Sequence, residues 1–148
     1  MGCAGRRANV SGRQRVSSGA RWETTVGYSR ALRAGNIVHV AGTTSLNSDG
    51  SVHAPGDAYE QARRLPAHHR GRARRKLGAS MGDVVRTRMN VTDIGQAEAV
   101  GRAHGERFGE VRPAATMVEV SRLIDPELVV EIEAEAVAGR LKRSRRTR

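Results

Sequence analysis

Residues 127–137, ELVVEIEAEAV, admit few structures. Leu128, Val130, Ile132, Ala134 and Ala136 alternate with Glu131, Glu133 and Glu135. An extended strand sends alternate residues to opposite faces, whereas a helix would scatter them around its axis. A strand that is apolar on one side and acidic on the other belongs to a sheet with one covered and one polar face. Residues 83–92, DVVRTRMNVT, repeat the constraint. There Val85, Thr87, Met89 and Val91 share one face, and Arg86, Arg88 and Asn90 the other.

Other segments complete the pattern. TTVGYSRA and NIVHVAG read as two strands around the Gly-Asn turn of LRAGN. TTSL and SVH flank NSDG, a second turn. Asp57, with Glu60 three residues on, makes a capping box that opens a helix at DAYEQARR. Asp93 and Gln96 start a second helix, with Ile94, Ala97, Val100, His104 and Phe108 on one stripe. AATMVEV is a further strand. The order predicts a single α+β domain, an about six-stranded sheet with two helices on one face.

Charge is distributed unevenly. Of the net +11, residues 1–20 carry +4, residues 63–76 carry +7 and residues 140–148 carry +6, which leaves −6 for the rest. The body is mildly acidic, with basic segments attached. Residues 1–20 and 140–148 lack periodicity and read as disordered basic tails around a domain at 21–139. One cysteine, Cys3, excludes an internal disulfide framework and fits a reducing compartment. No apolar run approaches the length of a membrane span, and no signal peptide is evident, so a cytoplasmic protein is expected.

GYSRALRAGNIVHVAGTTSLNSDG, DAYEQARR, LGASMGDVVRTRMNVTDI and VRPAATMVEVSRLIDPELVVEIEAEAV together resemble the RidA/YjgF family of imine and enamine deaminases. Some members carry an older endoribonuclease (L-PSP) label. The resemblance spans residues 22–139, and its most specific marks are the RPA…TxVEV and VEIEA strands. It implies a chorismate-mutase-like fold, a homotrimer, and ligand clefts between subunits. No cofactor and no metal are expected.

The resemblance bears on one segment that fits nothing else, RRLPAHHRGRARRK at 63–76. The family has an amphipathic helix here, but Pro66 and Gly71 interrupt it, at about 3 and about 1 kcal/mol in a helix interior. With suitable codons, a shift by one base lets Leu65-Pro66 read Cys-Leu, His68-His69 read Ile-Ile, and residues 70–73 read Glu-Ala-Ala-Leu. Two compensating frame changes across residues 64–75 are therefore expected, against a genuine basic insertion. A metal role for His68 and His69 is not favoured, since no cysteine or carboxylate accompanies them.

Deamination adds water across C=N. It needs a cation for the substrate carboxylate, a carboxylate to handle water, and walls that exclude solvent. In the family the clamping arginine follows Pro-Ala; here Ala115 follows Pro113-Ala114. The family hydroxyl before the second-strand glycine is Ala41, and the second-helix asparagine is Gly101. Two correspondences remain. Tyr28 takes the place of the cleft tyrosine and Glu131 that of the water-handling glutamate. Thr116 and the Met117 N–H are candidate ligand contacts, and Arg112 is a candidate substitute clamp. Each has a plainer reading: Glu131 is one of three glutamates on a solvated face, and Tyr28 packs with a wet hydroxyl. His104 reads as a core histidine, His53 as exposed, Trp22 as an edge cover, and Arg86 and Arg88 as a polar face.

Three functions follow. The first is a divergent hydrolase or deaminase of small imine, enamine or carbonyl-type metabolites in intersubunit clefts. The second is a catalytically silent trimer that binds a metabolite or protein. The third is a nucleic-acid-binding protein or endoribonuclease, opposed by four aromatic residues in all, too few for base stacking. Any nucleic acid contact is expected to be nonspecific and to run through the basic segments.

Overall fold

The computed structural model describes residues 12–65 and 75–139. Its strands are β1 (Arg13–Val16), β2 (Ala31–Ala34), β3 (Ile37–Thr43), β4 (Val84–Val91), β5 (Ala114–Glu119) and β6 (Val130–Val137). Its helices are α1 (Ala58–Arg64) and α2 (Ala97–Phe108). The strands form one sheet in the order β1-β2-β3-β6-β4-β5, antiparallel except for the β4–β5 pair. That parallel pair needs a crossover, and α2 supplies it.

Both helices cover the same sheet face. Ala58 and Ala62 of α1 and Val100 and Ala103 of α2 bury Met89, Val91, Val130 and Ile132. Leu77, Ala79 and Phe108 cover Val38, Val40 and Ala136. The small residues on the helices let them approach the sheet closely. Fully burying one valine or leucine contributes about 1.5–3 kcal/mol, so the β6 apolar row anchors the fold.

Two buried polar side chains tie the periphery to this core. Gln61, fully buried, donates to the Ala54 and Glu127 carbonyls and accepts from the Val129 N–H. Arg33 donates to the carbonyls of Gly35, Leu77 and Gly139. Gly78, at φ +80°, lies beside it, where an added Cβ would stand 2.8 Å from Nη1.

Several sequence expectations need correction. The leading tail does not extend to residue 20, because Arg13–Val16 pairs with Ala31–Ala34 as an edge strand. The backbone ladder makes that strand, without an apolar pattern to announce it. TTVG is not extended: Glu23–Gly27 forms a π-helical turn, and Gly27 leaves it at φ +83°. The Glu23 carboxylate accepts from Ser17 and Ser18, which fastens this turn to the end of β1. Burial alone would raise the Glu23 pKa, but those hydrogen bonds and the Arg30 charge hold it below the ordinary value. TTSL and SVH make only a bridge between Leu46 and Val52.

Val84, not Val85, enters the core, because an irregularity between Val84 and Arg86 shifts the alternation by one residue. Half of the expected capping box forms: Asp57 accepts from the Glu60 N–H at 2.9 Å, while the Glu60 carboxylate turns to Arg63. Ile94 is exposed, since α2 proper starts at Ala97 after a 3₁₀ turn. α1 reaches Arg64, and Arg75 and Lys76 are again helical. Most of the segment assigned to frame changes, including Pro66, His68, His69 and Gly71, lies outside the described residues.

Candidate ligand site on the polar sheet face

The face opposite the helices carries charge in rows. Arg86, Arg88 and Asn90 of β4 stand in register with Glu135, Glu133 and Glu131 of β6. On the other side of β6, His39 of β3 is registered with Glu135. Arg88 pairs with Glu133 at 2.8 Å and reaches Glu135 at 3.6 Å. His39 lies 3.8 Å from the same Glu135 oxygen. The alternation that buries one row of each strand necessarily gathers these charges on the other.

A concavity of about 420 Å³ opens on this face. Arg15, Tyr28, His39, Arg86, Arg88 and Glu135 are among its walls, and Leu32, Val40, Ala41 and Ala134 also line it. Tyr28 enters it directly after the Gly27 turn, with the Arg30 guanidinium 5.6 Å from its ring centre. Among the described residues no group of three or more His, Cys, Asp or Glu side chains is placed to hold a metal ion.

The sequence-derived candidates are dispersed across the chain. Glu131 is partly buried and packs against Gly42, where β3 departs from regular register between Val40 and Thr43. It lies one same-face position from Glu133, which lines the concavity, but is not itself on that wall. Thr116, in register with Arg88, shares the polar face. Met117, in register with Met89, packs against the covered core instead. β5 is an edge strand, so every second N–H on it lies outside the ladder. Arg112 is exposed on the turn before β5, at φ +51°, with its N–H on the Phe108 carbonyl. Ala115 is exposed on β5.

His104 behaves as a core histidine. Its Nε2 is 2.8 Å from the Thr87 hydroxyl, its ring lies on Phe108, and burial lowers its pKa. His53 is half-buried, and Trp22 is exposed with Arg21 over its ring. Sequence reading missed Arg15, His39 and Glu135 as neighbours of Tyr28, since they converge from separate strands. Their alternation with core residues was the available signal.

The family model described as Endoribonuclease L-PSP matches residues 18–138. The chain belongs to the RidA/YjgF family. Rv2704 of Mycobacterium tuberculosis, a member of the highly conserved YjgF/YER057c/UK114 family, superposes with a TM-score of 0.76 at 45% identity, covering 85% of this chain and 99% of its own. An uncharacterized protein of Streptomyces coelicolor is 39% identical over 126 residues, 85% of this chain and 92% of the relative. The 3-aminoacrylate deaminase RutC of Acinetobacter baylyi is 31% identical over 109 residues, 74% of this chain and 85% of the relative. The α+β fold with its six-stranded sheet is that of the RidA/YjgF structures. Among the described residues no helix is long and apolar enough to cross a membrane.

Proposed function

We propose that this RidA/YjgF protein hydrolyses small imine, enamine or carbonyl-type metabolites in clefts between subunits of a cytoplasmic homotrimer, without the family's carboxylate-binding arginine. The observation that carries this reading is the Glu131 carboxylate, held against Gly42 on the polar sheet face. Similarity to a 3-aminoacrylate deaminase supports the substrate class.

In this scheme Glu131 orients a water and takes its proton as oxygen bonds to the imine carbon. The C=N bond becomes C–N, giving a carbinolamine. That first proton passes to nitrogen; the carbinolamine hydroxyl proton then follows it through Glu131 as C=O forms, the C–N bond breaks, and a carbonyl compound and ammonia leave. Tyr28 closes the cleft, and Thr116 and the Met117 N–H meet ligand oxygens. Arg112 is the candidate cation on the β5 side. An assembly suits the sheet, because Ile37, Val118 and Val137 are exposed on the same face as the charged rows.

Ammonia release from enzymatically generated imines tests the reading. General acid–base groups contribute about 10²–10⁴-fold, so Glu131→Ala should lose at least about 100-fold. Wild-type turnover that Glu131→Ala leaves intact would remove Glu131 from the mechanism. If wild type itself turns over no imine, the silent metabolite-binding trimer replaces the hydrolase. Sedimentation should show three times the chain mass at micromolar concentration; a stable monomer contradicts the cleft model.

A further inference from the structure

We infer that Glu23 is a positioning residue for the ligand cleft: it holds Tyr28 in the cleft wall by anchoring the preceding turn to β1. The inference rests on the reading of Tyr28 as the residue that closes the Glu131 cleft. Tyr28 and Ala41 line one concavity, and Ala41 adjoins Gly42, against which Glu131 packs.

Residues 23–27 invert the usual rule of burial. Val26 is 69% exposed and Trp22, at the N-cap, 45%, while Glu23 is 7% exposed and is the one residue of the turn that is buried. Apolar burial therefore does not hold the turn in place. The Glu23 carboxylate does, by accepting from the Ser17 hydroxyl, the Ser18 hydroxyl and the Ser18 N–H. A carboxylate leaves water at low cost only where donors replace its hydration, and here three do. All three belong to the two residues that follow β1, whose Val16 is paired with Ala31.

The same residue governs the far end of the turn. Its carbonyl accepts the Tyr28 N–H at 3.0 Å, and Gly27, at φ +83°, redirects the chain there. Single π-helical turns of this kind recur at functional sites. Arg30 adds a second brace. Its charge acts on the Glu23 carboxylate, its guanidinium stands 5.6 Å from the Tyr28 ring centre, and its Nη1 donates to the Thr43 hydroxyl at 3.3 Å. Side chain and carbonyl of Glu23 thus fix both ends of the segment that delivers Tyr28.

Amide hydrogen exchange and steady-state kinetics of the full chain test this together. In Glu23→Ala the Tyr28 N–H should exchange at least about tenfold faster than in wild type, with the N–H groups of β6 unchanged. On an imine that wild type hydrolyses, the variant should raise KM at least about tenfold and leave kcat within about threefold, because Tyr28 walls the cleft and moves no proton. Glu23→Gln keeps an acceptor oxygen for the serines and should recover part of both effects. Tyr28→Ala should show the same rise in KM, and adding Glu23→Ala to it should change nothing further. Ser17→Ala combined with Ser18→Ala removes two donors and leaves the turn sequence intact, so it decides the matter if Glu23→Ala does not fold. Unchanged exchange at Tyr28, faster exchange with unchanged KM, or a further loss in the double variant each overturns the assignment. If wild type hydrolyses no imine, the deaminase reading fails by itself, and exchange at Tyr28 still decides whether Glu23 holds it.

Discussion

The Glu131 carboxylate stands where a side chain on residue 42 would be: a Cβ built on Gly42 lies 2.7 Å from Glu131 Oε1. Glycine is required here by space, not by backbone angle. The clashing atom is the far end of a flexible side chain, so Gly42→Ala should fold and move the carboxylate. A displacement of about 1 Å can cost about 100-fold in rate. Gly42→Ala should therefore lose hydrolysis by tenfold or more with a melting temperature within a few degrees of wild type. Unchanged turnover in a folded variant would mean that the position of Glu131 is not used.

Arg33 offers the opposite case, a polar residue whose whole value is structural. It is 3% exposed and gives three donors to three carbonyls from distant parts of the chain. Hydrogen bonds from charged groups contribute about 1.5–3 kcal/mol each, and their loss leaves buried acceptors unpaired. Arg33→Met should destabilise by about 3–5 kcal/mol. Urea denaturation checks this, as a lower midpoint at unchanged slope. Arg33→Lys should not rescue, because one ammonium cannot span three carbonyls.

Legibility in the sequence tracked burial periodicity. The β6 alternation is visible because Val130, Ile132 and Ala136 must be inside and the glutamates outside. β4 is visible for the same reason, apart from the irregularity that exchanges Val84 for Val85, which depends on pairing with β6. β1 is hidden because RQRV contains one apolar residue and is held by backbone bonds to β2. Gln61 and Arg33 are hidden because their partners are carbonyls, which no side-chain pattern reports. Resemblance to the family pointed to Tyr28 and Glu131 singly, but which strand rows meet around Tyr28 is a property of sheet order.

His104 gives a pH dependence of known sign. Burial lowers its pKa, so the folded state prefers the neutral ring bonded to Thr87. The ordinary histidine value is about 6.5. The unfolded chain then binds more protons just below that pH, so stability is full above it and is lost as pH falls through the lower folded value. His104→Gln should remove this component. Urea midpoints from pH 7.5 to 5 should fall less steeply for the variant than for wild type. Parallel curves would show that His104 does not contribute.

The basic segments predict a salt-sensitive, nonspecific affinity for RNA. Phosphate contacts release counterions, with a slope near −0.7 per contact for single strands. Because β1 begins at Arg13, the proper trim removes residues 1–11 and 140–148 and keeps the edge strand. That trim should remove much of the binding, the rest falling to the central basic segment. Salt-resistant, sequence-selective binding by the trimmed protein would favour the nuclease reading.

Ala115 separates a weakened deaminase from a repurposed one. It is exposed on the edge strand β5, in register with Thr87 and so on the strand face opposite Thr116. An arginine introduced there would add a charge-assisted hydrogen bond to a substrate carboxylate, about 1.5–3 kcal/mol. At about 1.4 kcal/mol per tenfold, Ala115→Arg should raise kcat/KM on amino-acid-derived imines by about 10- to 150-fold. The gain should depend on Glu131, so the double variant with Glu131→Ala should show none. If wild type already matches an arginine-bearing relative on these imines, Ala115 is no handicap and Arg112 becomes the cation to remove next. If Ala115→Arg changes nothing while Glu131→Ala abolishes turnover of a neutral imine, the cleft has moved to uncharged substrates, and the loss of the arginine is the mark of that change.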